Sequence, residues 1–202
     1  MMTLIIIIIT SIVSLLALNQ KEVFHQLAFH PSAIRYSGQQ YRFFSYALIH
    51  ADLMHLFVNM FVLYSFGSAT ERYFSIIFQG KGLFFYFLLY LGGIIFSTLP
   101  SYGKHKDDPS YSAVGASGAV SAVLFSSIIF NPLSSISFLF LPFPIPAFIF
   151  GGLYLVFSAY MARKGHDNIG HDAHFWGAVF GLFFTIALKP GLALMFIEKI
   201  GL

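Results

Sequence analysis

Six long apolar runs leave this chain few ways to fold. They are Met1–Leu18, Phe43–Ala69, Leu83–Leu99, Val114–Phe130, Ile145–Ala162 and Ala173–Leu188. Each approaches or exceeds the roughly 17–25 residues that carry a helix across a hydrocarbon core. A soluble domain of 202 residues lacks the polar surface to cover them. Charged residues are 9% of the chain and apolar residues 57%, with a mean hydropathy of +0.78. Soluble domains carry roughly 25% charged residues. Lipid offers the backbone no hydrogen-bond partners, so helices are the expected solution. The runs lack the alternating polarity of a membrane barrel. The expected fold is an all-α membrane protein, a bundle of six transmembrane helices. It forms one domain over residues 1–202 with no appended soluble domain.

The first run has no basic stretch ahead of it and no small-x-small cleavage site before Gln20, so it reads as a helix, not a signal peptide. Cysteine is absent, which removes both a disulfide framework and a thiol nucleophile. The net charge of +3 is scattered, with no basic stripe for nucleic acid. The expected partner is therefore the lipid bilayer.

The connections differ in character. Asn19–Arg42 mixes charge with apolar residues, which suits a segment lying in the membrane interface. Ser101–Ser112 reads as a true polar loop. Pro142, Pro144 and Pro146 interrupt an apolar stretch, so the fifth helix is expected to start near Ile145. Arg163–His171 is a short link rich in His, Asp and Gly.

Two polar residues are placed alike. Ser117, in Gly115-Ala116-Ser117-Gly118, opens the fourth run; His174, in Ala173-His174-Phe175-Trp176-Gly177, opens the sixth. One further crossing lies between them, so both runs point the same way and the two side chains share a depth. A serine and a histidine that can meet are the minimum for an activated nucleophile. The second run carries His50, Asp52, His55 and Asn59, and His55 and Asn59 share a helix face. Intramembrane polar groups are costly and mark a protein interior or a water-filled cavity. Each also has a plainer reading. His and Asn hydrogen-bond between helices as glue, and the small residues around Ser117, with Gly177 and Gly181, let helices pack closely. Close contact is also what a Ser–His hydrogen bond requires, so the glycines serve both readings.

From about Tyr41 to Gly181 these motifs together resemble the rhomboid intramembrane serine proteases. Gly115-Ala116-Ser117-Gly118 is similar to the family's nucleophile motif, and Ala173-His174-x-x-Gly177-x-x-x-Gly181 to its sixth-helix motif with His174 as base. His55-x-x-x-Asn59 resembles the pair that serves the oxyanion. Tyr41-Arg42 resembles the aromatic-Arg pair ending the first loop, and Glu71-Arg72 the Glu-Arg pair just after helix two. The resemblance implies supporting roles for Gly115, Gly118, Gly177, Gly181, Arg42, Glu71 and Arg72. There are departures. Ser121 stands where many bacterial members carry a tyrosine stacked on the histidine, and Ser75 stands where a glycine is usual.

The chemistry follows from the residues. Ser117 Oγ is a weak nucleophile until a base takes its proton, and neutral imidazole does so near physiological pH. The tetrahedral oxyanion then needs preorganised donors. Asn59, His55 and the Ser117 backbone N–H are the candidates, the last being free because a helix's first turn has no internal partner. Asp52 and Asp172 have no evident link to His174, so a dyad is expected. The implied reaction is peptide-bond hydrolysis in or near the transmembrane segment of membrane-protein substrates, without a cofactor or metal. One alternative is a metal-binding or transport protein using His50, His55, His166, His171, His174, Asp167 and Asp172. No His-Glu-x-x-His is present, and no repeated halves mark a transporter. The other alternative is an inactive rhomboid-like binder of membrane helices.

Orientation sets two arguments against each other. One face holds Arg72, Lys81, Lys189 and Lys199; the other holds Lys21, Arg35, Arg42, Lys104, Lys106, Arg163 and Lys164. The positive-inside rule puts the second face in the cytoplasm. The family resemblance puts it outside, with the active-site opening, and that placement is adopted. Arg42 belongs to a motif, and Asp107, Asp108 and Asp167 offset neighbouring bases. The protein is expected to be multi-pass, in the plasma membrane if bacterial.

Overall fold

The computed structural model describes residues 1–138, 141–165 and 169–201 and is predominantly helical. Helix α1 spans Met2–Asn19. Its packing is inverted relative to a soluble helix. Thr3, Thr10, Ser14 and Ala17 are buried, while Ile5, Ile8, Ile9, Ile12, Leu15 and Leu16 are exposed. Helices in an apolar medium pack through small residues and hydroxyls, because burying large side chains against one another gains little there.

The segment after α1 folds as two short helices, α2 (Lys21–Leu27) and α3 (Pro31–Ser37). Pro31 opens α3, where its missing N–H costs nothing. Next come α4 (Arg42–Ser45) and a 3₁₀ turn over Tyr46–Leu48.

The second run is corrected at both ends. The chain breaks around Ile49–Asp52, and α5 (Leu53–Val62) starts at Leu53 instead of Phe43. Asp52 is the reason. It is extended, at φ −157 and ψ 174, and its carboxylate accepts the His55 N–H at 2.7 Å as an N-cap. His50 and Asp52 therefore precede the helix. A π turn (Leu63–Gly67) leads directly into α6 (Ser68–Phe78). Glu71-Arg72 consequently lies inside a helix and not just beyond one. Ser75 also sits on α6, away from any turn.

Gln79, at φ 49 and ψ −126, reverses the chain. Helix α7 (Gly82–His105) then packs on α6 through Phe74 against Tyr86 and Phe78 against Phe85. It is longer than expected, running through Pro100 into the stretch read as loop. Ser101 is buried, Tyr102 packs on Phe43, and His105 stacks on Tyr111 at 3.8 Å. Tertiary packing outweighs local polarity there.

Helix α8 (Ser117–Phe130) is the axis of the fold: every residue from Gly118 to Phe130 is buried. The proline run is extended, not merely a break. Strand β2 (Leu141–Pro146) pairs antiparallel with β1 (Ser135–Phe138), Ser135 opposite Pro146 and Ile136 opposite Ile145. Helix α9 (Ala147–Lys164) follows, then α10 (His171–Leu188) and an unforeseen α11 (Gly191–Lys199) bent by 114° from α10. Lys199 Nζ donates to the Phe130 carbonyl at the C-terminus of α8, at 2.9 Å. Helices α5, α6, α7, α9, α10 and α11 all touch α8. By length and composition, Met2–Asn19 and Leu53–His105 can cross a membrane, and α10 with α11 makes a third span if counted as one. Helix α8 is shorter, at 14 residues.

Candidate active site

The approach to Ser117 is built by backbone hydrogen bonds. Phe29 and Ala113 exchange a pair, at 2.9 and 3.0 Å, and the Gly115 N–H donates to the Tyr46 carbonyl at 3.0 Å. Gly115 has φ +111, and a Cβ there would lie 2.6 Å from His55 Cε1. Only glycine satisfies both conditions. The Ala116 N–H donates to His50 Nε2 at 3.4 Å. Accepting at Nε2 leaves the proton on Nδ1, which donates to Ser14 Oγ at 3.2 Å. Burial, then the neighbouring His55, pushes the His50 pKa down, which keeps that acceptor available. His50, one of the residues named for the metal alternative, thus ties α1 to the loop before Ser117.

Ser117 is the first residue of α8, and the first bond into the helix runs from the Val120 N–H to the Ala116 carbonyl. The Ser117 N–H therefore belongs to the unpaired first turn, at the positive end of the helix dipole. His174 lies in the first turn of α10, its own N–H donating to the Gly170 carbonyl at 3.0 Å. Glycine sets the register of the two helices. A Cβ on Gly177 would overlap the Gly118 carbonyl, and one on Gly181 the Ala122 carbonyl. A Cβ on Gly118 would lie 3.2 Å from the Ala173 carbonyl oxygen. The residue after Ser117 thus faces the residue before His174, and the two side chains start from adjoining turns.

The expected oxyanion pair lies on α5. His55 is in the first turn of α5, its ring edge-on to His50 at 4.9 Å and pressed against Gly115. Asn59 is buried one turn on and donates from Nδ2 to the His55 carbonyl at 2.9 Å, which occupies one of its two amide hydrogens. Around His174 stand His171, edge-on at 5.9 Å, and Tyr154 of α9, whose ring lies at 6.3 Å and 27°. Ser121 Oγ lies 2.7 Å from the Tyr154 hydroxyl.

The supporting residues divide. Arg42 is buried and donates to the His25 and Ala28 carbonyls at 2.8 and 2.6 Å and to Gln39 Oε1. It staples the segment between α1 and α4. Glu71 accepts from the Met2 and Thr3 N–H groups at 2.7 and 2.9 Å. It therefore caps the start of α1, at the far end of α1 from Ser14. Arg72 is exposed and is not brought to this site. Among the described residues no three His, Asp or Glu side chains converge as a metal site. His166 and Asp167, named for the metal alternative, lie outside the described residues.

A family model described as Rhomboid domain matches residues 37–191, which carry all of this geometry except α1 and the start of its link. The chain belongs to the rhomboid family. Two curated relatives agree. RHOMBOID-like protein 12, mitochondrial, of Arabidopsis thaliana is 30% identical over 77% of this chain and 48% of its own length. Rhomboid-related protein 1 of Caenorhabditis elegans is 32% identical over 81% of this chain and 44% of its own. The chain spans about half the length of the curated relatives it matches. Rhomboid membership and the apolar helices make it an integral membrane protein. In this rhomboid Tyr154 had no signal of its own, being one aromatic in an apolar helix. The only cue was a serine at 121, one turn beyond Ser117.

Proposed function

We propose that this rhomboid is a serine endopeptidase that cleaves membrane-protein substrates in or near a transmembrane segment. The observation that carries the reading is the glycine-mediated crossing of α8 and α10, which sets Ser117 and His174 in adjoining first turns. His174 takes the Ser117 hydroxyl proton as Oγ attacks the scissile carbonyl carbon. The Ser117 N–H, with Asn59 and His55, donates to the oxyanion. Collapse breaks the C–N bond, and His174 returns the proton to the leaving amine. Water, activated by the same histidine, then hydrolyses the acyl ester. No third acid and no cofactor enters. The bundle is read as one domain of six crossings: α1, the two arms of Leu53–His105 on either side of Gln79, α8, α9 and α10. The reading is tied to a bilayer and not to a particular organelle or cell membrane.

The test is labelling of the detergent-solubilised protein by a serine-directed fluorophosphonate, with cleavage of a single-span model substrate alongside. Ser117→Ala is expected to abolish both, and His174→Ala to abolish cleavage, with melting nearly unchanged. Retention of more than about a hundredth of the wild-type rate in either variant overturns the assignment, because a working nucleophile and base are worth far more. Activity lost to EDTA and restored by zinc transfers the case to the metal reading.

A further inference from the structure

One turn beyond Ser117 stands Ser121, which offers the His174 ring no aromatic face. A flat neighbour for that ring comes from a different helix. Tyr154, on α9, lies nearly parallel to the imidazole, with centroids 6.3 Å apart and 27° between planes. Its hydroxyl is 2.7 Å from Ser121 Oγ, and Ser121 is buried on α8. Phe125 and Phe150 close on the same ring at 5.5 and 5.7 Å. The tyrosine is therefore held at its tip by α8 and at its sides by α8 and α9, and it offers a face to α10.

We propose that Tyr154, tethered by Ser121, is a positioning residue for His174, so that α9 sets the geometry of the base. The proposal rests on the protease reading above. A histidine ring on a helix turns easily about its second side-chain torsion, whose minima are broad. Only one range of that torsion aims a ring nitrogen at a serine one helix away. An offset, near-parallel aromatic neighbour narrows the range without taking up either nitrogen. Ser121 and Tyr154 are complementary: a larger side chain at 121 would fill the place of the tyrosine hydroxyl. The arrangement also links the active site to a helix whose outer face, at Leu153, Val156, Phe157 and Tyr160, is exposed. A displacement of α9 would move Tyr154 relative to the His174 ring.

The experiment uses the full chain in detergent with the single-span substrate. Tyr154→Leu is expected to lower kcat by about tenfold to a hundredfold, the scale set by a small misplacement of a reacting group. KM and Tm should stay near wild type. Tyr154→Phe and Ser121→Ala break the same hydrogen bond while keeping the ring. Each should cause a smaller fall, and the double variant should be no worse than either. Combining Ser121→Tyr with Tyr154→Ala should recover activity lost in Tyr154→Ala. An unchanged kcat in Tyr154→Leu, or additive losses in the double variant, overturns the proposal. A second readout is independent of turnover. The His174 ring protons, assigned by their disappearance in His174→Ala, should shift in Tyr154→Leu as the ring current of the tyrosine is lost. If wild type shows no Ser117-dependent cleavage, the protease reading fails and this shift still decides the contact. Ring protons that do not move refute it.

Discussion

At the scale of single residues, the loop before Ser117 does more than connect two helices. Gly115 holds a backbone angle that side chains avoid, at φ +111, with His55 packed where a Cβ would be. His50 accepts the next N–H. Ser117 is thus presented by contacts made through its neighbours, and its N–H stands in the first turn of α8, the arrangement the proposed oxyanion needs. His55 and Asn59 are argued to supply the other donors. Their removal should act on the developing charge and not on the substrate as bound. His55→Ala and Asn59→Ala are therefore expected to lower kcat by about 10²-fold each, the usual cost of one such donor, with smaller changes in KM. Steady-state kinetics on the solubilised protein check this. Unchanged turnover in both variants would leave these residues as helix glue.

At the scale of elements, the α8–α10 crossing is the contact on which the site depends. Gly181 packs on the Ala122 carbonyl, whereas a Cβ at Gly152, on α9, meets nothing within 4 Å. Alanine has the higher helix propensity by up to about 1 kcal/mol. Gly152→Ala should therefore be neutral or stabilising in thermal unfolding. Gly181→Ala should destabilise by at least the roughly 1–3 kcal/mol typical of overpacking. Equal behaviour of the two would deny the close crossing. The elements also show what the sequence makes legible. Apolar length marked α1, α8 and α10 because lipid demands continuous helices, and the small-residue spacing marked which pair must touch. Asp52 hid the break before α5, since a cap is a side-chain geometry and not a hydropathy. The extension of α7 through Pro100 depends on packing against Phe43 and Tyr111, which lie far away in the chain or beyond the helix end. The β1–β2 pairing and Tyr154 are likewise tertiary facts. Ser117, His174, His55 and Asn59 stand out in the sequence as candidates because each breaks the apolar pattern around it.

At the scale of the whole molecule, the open question of charge becomes a question of which cations are free. Arg42 is occupied by backbone carbonyls, and Arg35 pairs with Asp107 at 2.5 Å beside the Tyr36 hydroxyl. That hydrogen bond from Tyr36, more than the Arg35 charge, holds Asp107 below the usual carboxylate range. Neither arginine counts as an unpaired loop charge, so the basic excess on this face shrinks. Alkaline phosphatase inserted between Lys104 and Asp108 is accordingly expected to be active, and the same reporter after Leu202 inactive. The reverse pattern would put the active-site opening in the cytoplasm. Helix α1 has a consequence for redesign. Ile5, Ile8, Ile9, Ile12, Leu15 and Leu16 face outward, and Thr3, Thr10 and Ser14 face the bundle. Mutational tolerance along α1 is then the mirror image of a soluble helix's. The bulky apolar positions accept exchange among themselves, and the modest hydroxyl positions do not accept bulk. A water-soluble derivative would carry charge in place of these outward side chains of α1, as in place of the exposed apolar side chains of the other helices, with every inward threonine and serine left in place.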